Sequence, residues 1–119
     1  MDKILFIINP VAGGGKAKSL EQLIREHMTK TELEYDIVFT SKPKDAIEIT
    51  MKNKHETVVA VGGDGTVNEV ARGLINRGYG ILGIIPGGTG NDMGRSLRIP
   101  RDPMDALKTI IKGKTMEID

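Results

Sequence analysis

The stretch Val58–Ile75, VVAVGGDGTVNEVARGLI, decides how the chain is read. Its first four residues are an unbroken apolar run of strand formers, the pattern of a strand buried on both faces. A glycine turn, Gly62 to Gly65, follows at once. Val67, Val70, Ala71, Leu74 and Ile75 then recur at helical spacing, and Gly78 is placed to close that helix. Strand, glycine turn and helix form a unit, and the unit repeats outward in both directions. Ile4–Ile8 and Ile81–Ile85 have the same strand character, and Tyr35–Phe39 is a weaker strand nearer an edge. Leu20, Leu23, Ile24, His27 and Met28 line one face of a helix between the first two strands. Ala46, Ile47, Ile49, Thr50 and Met51 give a looser helix after Pro43. Leu107, Ile110 and Ile111 give another, from near Pro103 to before Gly113. Alternating strands and helices with fully apolar strands predict an α/β fold. We expect three layers, α/β/α, around a mainly parallel, Rossmann-like sheet. Thr115–Asp119 reads as a further strand beginning where the sequence ends, which suggests a piece of a longer protein.

The length, 119 residues, corresponds to one domain able to bury a core without staples. The absence of cysteine excludes disulfides and thiolate metal sites. A net charge of +1 gives no basic footprint for nucleic acid, and 3% aromatic residues give no base-stacking platform. Apolar runs stop far short of a membrane span, and the N-terminal run ends at Asn9-Pro10, too early for a signal peptide. A soluble, intracellular protein is expected. The 15 glycines are about double the usual share, and they cluster.

The clusters follow strands: Asn9 to Gly15, Gly62 to Gly65 and Gly87 to Gly94. In a parallel sheet all of them reach the carboxyl edge, where ligands of such folds bind. Glycine lets backbone N–H groups converge and a ligand approach closely, and a helix starting there adds its positive end. A nucleotide or phosphate site is the reading. Gly13-Gly14-Gly15-Lys16 is not a P-loop, because Pro10 and Ala17 stand where that motif needs Gly and Ser or Thr. Gly78–Gly83 matches G-x-G-x-x-G but lies between a helix and a strand, the reverse of the required context.

Asp64, a carboxylate among glycines, would repel a phosphate unless a divalent cation lay between them. Magnesium takes one or two carboxylates together with phosphate oxygens and water, so Asp64 is the metal candidate, directly or through water. The competing reading of Asp64 is an Asx-turn. Thr66 is expected to cap the helix and to offer its hydroxyl to phosphate. Asn68 and Glu69, placed in the first helical turn, either hold the loop or reach the ligand. In the third loop Thr89 is the phosphate or ribose contact, with Asn91 and Asp92 as caps or contacts. Lys16 reads as a surface lysine, with phosphate contact the alternative, and His27 and His55 read as structural; Arg95, Arg98 and Arg101 read as a solvated basic segment, with approach to anionic lipid headgroups the alternative.

GGDGTVNEV at 62–70 and PGGTGNDMGRSLRIP at 86–100 resemble the catalytic domain of the diacylglycerol kinase family, which includes sphingosine and ceramide kinases. INPVAGGGKA at 8–17 is similar to that family's opening loop. The GGDGT core is shared with NAD kinases and phosphofructokinases, whose N-terminal domains have the same expected fold. The resemblance implies ATP and magnesium (Mg2+) as cofactors and a lipid hydroxyl, most simply that of diacylglycerol, as acceptor at the membrane surface. It implies nucleotide contacts from Asn9, Pro10, Gly13, Thr40, Gly62, Gly63, Asp64, Gly65, Thr66, Asn68, Glu69 and Thr89. It also implies a β-rich second domain carrying the catalytic base, absent from this sequence. An apolar patch facing that domain would favour self-association as a homodimer. The other readings are a GGDGT kinase acting on NAD or a sugar phosphate, and a non-catalytic nucleotide-binding domain. A cytoplasmic protein that meets the membrane during catalysis is expected.

Overall fold

The computed structural model describes residues 3–11 and 15–86, Asp105 and Ile110, and the backbone of Met116–Ile118. Strands β1 (Ile4–Ile8), β2 (Tyr35–Phe39), β3 (Thr57–Gly62), β4 (Gly80–Pro86) and β5 (Met116–Ile118) form one sheet in the order β2-β1-β3-β4-β5. The first four are parallel and β5 runs antiparallel to β4. Helices α1 (Ala17–Thr29), α2 (Asp45–Lys52) and α3 (Asp64–Arg77) connect them. The three-layer, mainly parallel α/β fold expected from the sequence is the one observed.

Alternation along the strands sorts the core into two halves. Ile4, Phe6, Ile8, Val59, Val61 and Ile85 face α1, meeting Leu20, Ile24 and Met28. Ile110 joins this side; it and Asp105 are helical, whereas Leu107 and Ile111 lie outside the described residues. Leu5, Ile7, Val58, Ala60, Leu82 and Ile84 face the other way, against Ala46 of α2 and Val67, Val70 and Leu74 of α3. Burial on both faces explains why these strands are apolar at every position. The edge position of β2 explains its weaker signal: its residues are half-buried or exposed.

Helix ends depart from expectation at one point and agree at another. α3 starts at Asp64 with Gly63 as N-cap and no side-chain cap, so Thr66 is not the capping residue. The chain turns helical three residues earlier than the capping reading required, and Thr66 is buried instead, beneath Gly62. Asn68 and Glu69 therefore fall in the second turn of α3 rather than the first. Gly78 closes α3 in the left-handed conformation, φ 87°, its N–H bonding the carbonyls of Leu74 and Ile75. In α2 only Ala46 and Thr50 are fully buried, and Met51, expected on the apolar face, is exposed.

Candidate functional site

The strand order reverses between β1 and β3: from β1 the chain moves to β2 on one side, then returns to β3 on the other. Such a switch point opens a crevice at the carboxyl edge of the sheet. Asn9 and Gly62 flank it. Asn9 N–H donates to the Val61 carbonyl at 3.2 Å, extending the β1–β3 ladder by one step. The Asn9 side chain accepts the Val11 N–H at 3.0 Å, which folds Asn9-Pro10-Val11 into a turn away from the sheet. A Cβ on Gly62 would lie 2.8 Å from Thr66 Oγ1 and 3.5 Å from Asn9 Cβ, so this glycine is set by close packing inside the protein.

Gly63 and Gly65 differ from Gly62. A Cβ on either meets nothing within 4 Å among the described residues, and both are exposed. They surround the first residue of α3, Asp64, which is half-buried at the N-terminus of a 14-residue helix. The positive end of α3 thus opens onto a cleared approach at the switch point. On the opposite flank, Thr40 N–H bonds the Ile8 carbonyl at 2.9 Å, holding Thr40 level with Asn9 at the edge. Pro86, paired with Gly62, brings the start of the third glycine loop to the same edge. Asn9, Pro10, Thr40, Gly62, Gly63, Asp64 and Gly65 therefore lie along one rim, and Thr66 is buried beneath Gly62. Asn68 is exposed further along α3. Gly13, Thr89, Asn91 and Asp92 lie outside the described residues, as do Arg95, Arg98 and Arg101.

Beyond Thr40 the rim is built by residues that the sequence reading did not single out. Ser41 donates its N–H and hydroxyl to Asp45 Oδ2, at 2.7 and 3.0 Å. Both hydrogen bonds favour the ionised form, and the backbone N–H of Ser41 is the main reason the Asp45 carboxyl sits below its ordinary pKa. A depressed carboxyl stabilises the fold above its unfolded pKa and ceases to do so as pH falls below about 4. Asp45→Asn should therefore show a shallower loss of stability than the parent between pH 5 and pH 2, read as urea midpoints; parallel curves would remove the Ser41 contacts from the acid response. The signal was visible as a hydroxyl and an acid four residues apart, just after a strand.

At the opposite edge, His55 Nε2 lies 2.8 Å from Asp36 Oδ2, and its buried Nδ1 has no partner among the described residues. Both belong to the amino end of the sheet, remote from the rim, in keeping with a structural His55. Among the described residues no three His, Asp or Glu side chains gather as a metal cage, and no helix is long and apolar enough to cross a membrane.

The sequence family described as the diacylglycerol kinase catalytic domain matches residues 3–119. This chain belongs to that family. A Streptococcus pneumoniae serotype 4 protein named "Putative lipid kinase" is 40% identical over 124 residues, taking in 100% of this chain and 42% of that protein. A Staphylococcus aureus protein named "Diacylglycerol kinase" is 39% identical over 119 residues, 95% of this chain and 37% of its own length. The crystal structure of a diacylglycerol kinase from Bacillus anthracis str. Sterne shares the fold, with a TM-score of 0.84 and 34% identity over 94% of this chain and 40% of that one. The chain thus spans about two fifths of the diacylglycerol kinase relatives it matches. The likeness covers every strand and helix that supports the rim.

Proposed function

We propose that this domain is the ATP-binding lobe of a magnesium-dependent lipid kinase, which transfers the ATP γ-phosphate to the hydroxyl of diacylglycerol to give phosphatidic acid. The observation that carries the reading is the cleared N-terminus of α3 at the switch point. An added Cβ at Gly63 or Gly65, the two neighbours of Asp64, would meet no atom of the described residues within 4 Å. The names carried by relatives at about 40% identity support the kinase class.

Phosphoryl transfer asks a protein mainly for positioning and charge neutralisation. The N–H groups of the first turn of α3 would donate to phosphate oxygens, and the turn at Asn9–Val11 and Thr40 would flank the nucleotide. Asp64 supplies one carboxylate and no second acid joins it in a cage among the described residues. That donor set suits magnesium arriving with its triphosphate, not a metal held by protein alone. Bound there, the ion would neutralise the phosphate charge that Asp64 would otherwise repel. In the transfer, the acceptor oxygen bonds the γ-phosphorus, the bond to the β–γ bridging oxygen breaks, and ADP leaves with that electron pair. The hydroxyl proton passes to a base that we place outside residues 3–119, in a β-rich domain. The kinase would act from the cytoplasm at the membrane surface.

The test incubates the protein as its gene encodes it with labelled ATP, magnesium and a panel of diacylglycerol, phosphatidylglycerol, sphingosine, NAD and a sugar phosphate. Label is expected in phosphatidic acid; label only in NAD or the sugar would overturn the lipid acceptor. Asp64→Asn should weaken ATP binding about tenfold in magnesium and little in its absence, as loss of one charge-assisted contact predicts. Equal magnesium dependence in variant and parent would take the metal role from Asp64.

A further inference from the structure

One face of α3 carries Glu69, Gly73 and Arg77 at four-residue spacing, and all of it is turned to α2. At one end Glu69 Oε1 accepts the Ala46 N–H of α2's first turn at 3.3 Å. In the middle Gly73 lies so close to α2 that a Cβ would meet Thr50 Cβ at 2.7 Å and the Ile47 carbonyl at 3.0 Å. At the other end Arg77 Nη1 donates to the carbonyls of Thr50 and Asn53, at 2.9 and 2.6 Å. A carboxylate thus meets the positive end of α2 and a guanidinium its negative end.

α2 needs this support. It has eight residues, too few to persist alone in water. Its N-cap, Lys44, is in the left-handed conformation and supplies no side-chain cap. Asp45, the first acid of the helix, is turned back to Ser41. The capping of α2 therefore comes from Glu69 on the neighbouring helix. What leads into α2 is the segment from Thr40 to Lys44, the far flank of the rim.

We propose that Glu69 is a positioning residue for the nucleotide. It sets the β2–α2 segment, and with it Thr40, at a fixed distance from the N-terminus of α3. It acts through Ala46 rather than by touching the ligand. The proposal rests on the nucleotide reading of the rim. It parts from the role that the GGDGTVNE resemblance implies for Glu69, since the carboxylate is committed to another helix.

The experiment uses Glu69→Ala, Glu69→Gln, Thr40→Val and the Glu69→Ala/Thr40→Val double variant. Two readouts are taken: amide exchange at Ala46 without nucleotide, and affinity for Mg·ATP. Glu69→Ala should speed exchange at Ala46 at least about tenfold and weaken Mg·ATP roughly three- to tenfold, the range for one lost hydrogen bond. Glu69→Gln keeps an acceptor oxygen and should restore both to within about twofold. The double variant should bind Mg·ATP no more weakly than the worse single variant, because both changes act on the same segment. Unchanged exchange at Ala46 with weakened binding in Ala and Gln variants alike would overturn the proposal and make Glu69 a direct contact. Additive losses in the double variant would also overturn it. A parent protein that fails to bind Mg·ATP would sink the nucleotide reading itself, and the exchange data would show separately whether Glu69 holds α2.

Discussion

Gly65→Ala should make the protein more stable and a worse nucleotide binder. Gly65 is the second residue of α3, its backbone is not among those with positive φ, and a Cβ there meets nothing within 4 Å among the described residues. Alanine suits a helix better than glycine by roughly 0.5–1 kcal/mol, so the denaturant midpoint should rise. The added methyl would project into the space outside the protein, at the helix N-terminus where phosphate is to sit. Displacing a phosphate by about the width of a methyl group forfeits several charge-assisted hydrogen bonds together, so Mg·ATP affinity should fall by at least about thirtyfold. Gly63→Ala should behave alike in binding, with little change in stability, because its φ of -89° is open to any residue. Gly62→Ala gives the contrast. Its methyl would strike Thr66 and cost about 1–3 kcal/mol of stability by overpacking. Equilibrium unfolding and nucleotide titration on the same three variants decide the matter. Unchanged affinity in Gly65→Ala would remove the phosphate from the N-terminus of α3.

Arg77→Ala should destabilise the fold by about 3 kcal/mol without altering the nucleotide site. Its guanidinium donates to the carbonyls of Thr50, Asn53, His55 and Tyr79 and lies 4.3 Å from the centre of the Tyr79 ring. Burial lowers the pKa of the guanidinium from its ordinary value. Removing it leaves the C-terminal carbonyls of α2 and the turn before β3 without their donor, and opens the space beneath Gly80. Arg77→Lys should recover less than half of the loss, because an ammonium cannot span this fork of acceptors. Urea unfolding measures both variants, and a loss under about 1 kcal/mol in Arg77→Ala would show that water replaces the guanidinium readily. Mg·ATP affinity of the folded variant should match the parent, since Arg77 lies at the far end of α3 from Asp64.

The two variants mark out what the sequence made legible. Everything governed by local period could be read: the doubly buried strands at Ile4–Ile8 and Val58–Val61, the edge character of Tyr35–Phe39, the close of α3 at Gly78. The carboxyl-edge placement of Asn9, Thr40 and the Gly62–Gly65 turn also followed, because parallel strands leave no other place for the turns that succeed them. What could not be read depends on which helix lies beside which. The bond between Glu69 and Ala46 could not be read, because the helix neighbours of Glu69 are known from sequence and α2's position is not. Arg77 drew no reading at all, because three of its four acceptors are 22 to 27 residues distant. The partner of His55 could not be read, because Asp36 is on β2, 19 residues away. Thr66 was misplaced by a local rule: a hydroxyl before an apolar helix usually caps it, but here the close approach of Gly62 draws that hydroxyl inward.

The reversal of strand order has a kinetic side. β1-α1-β2 and β3-α3-β4 are each assembled from consecutive elements, whereas β1 and β3 pair across the whole of the intervening chain. Parallel pairing over such a separation closes late, because the loop entropy is lost before the contacts form. Asn9 and Gly62 sit on that seam. A molecule bridging them would fasten together the two halves that join last, so occupancy would slow the chain's unfolding as well as fill its crevice.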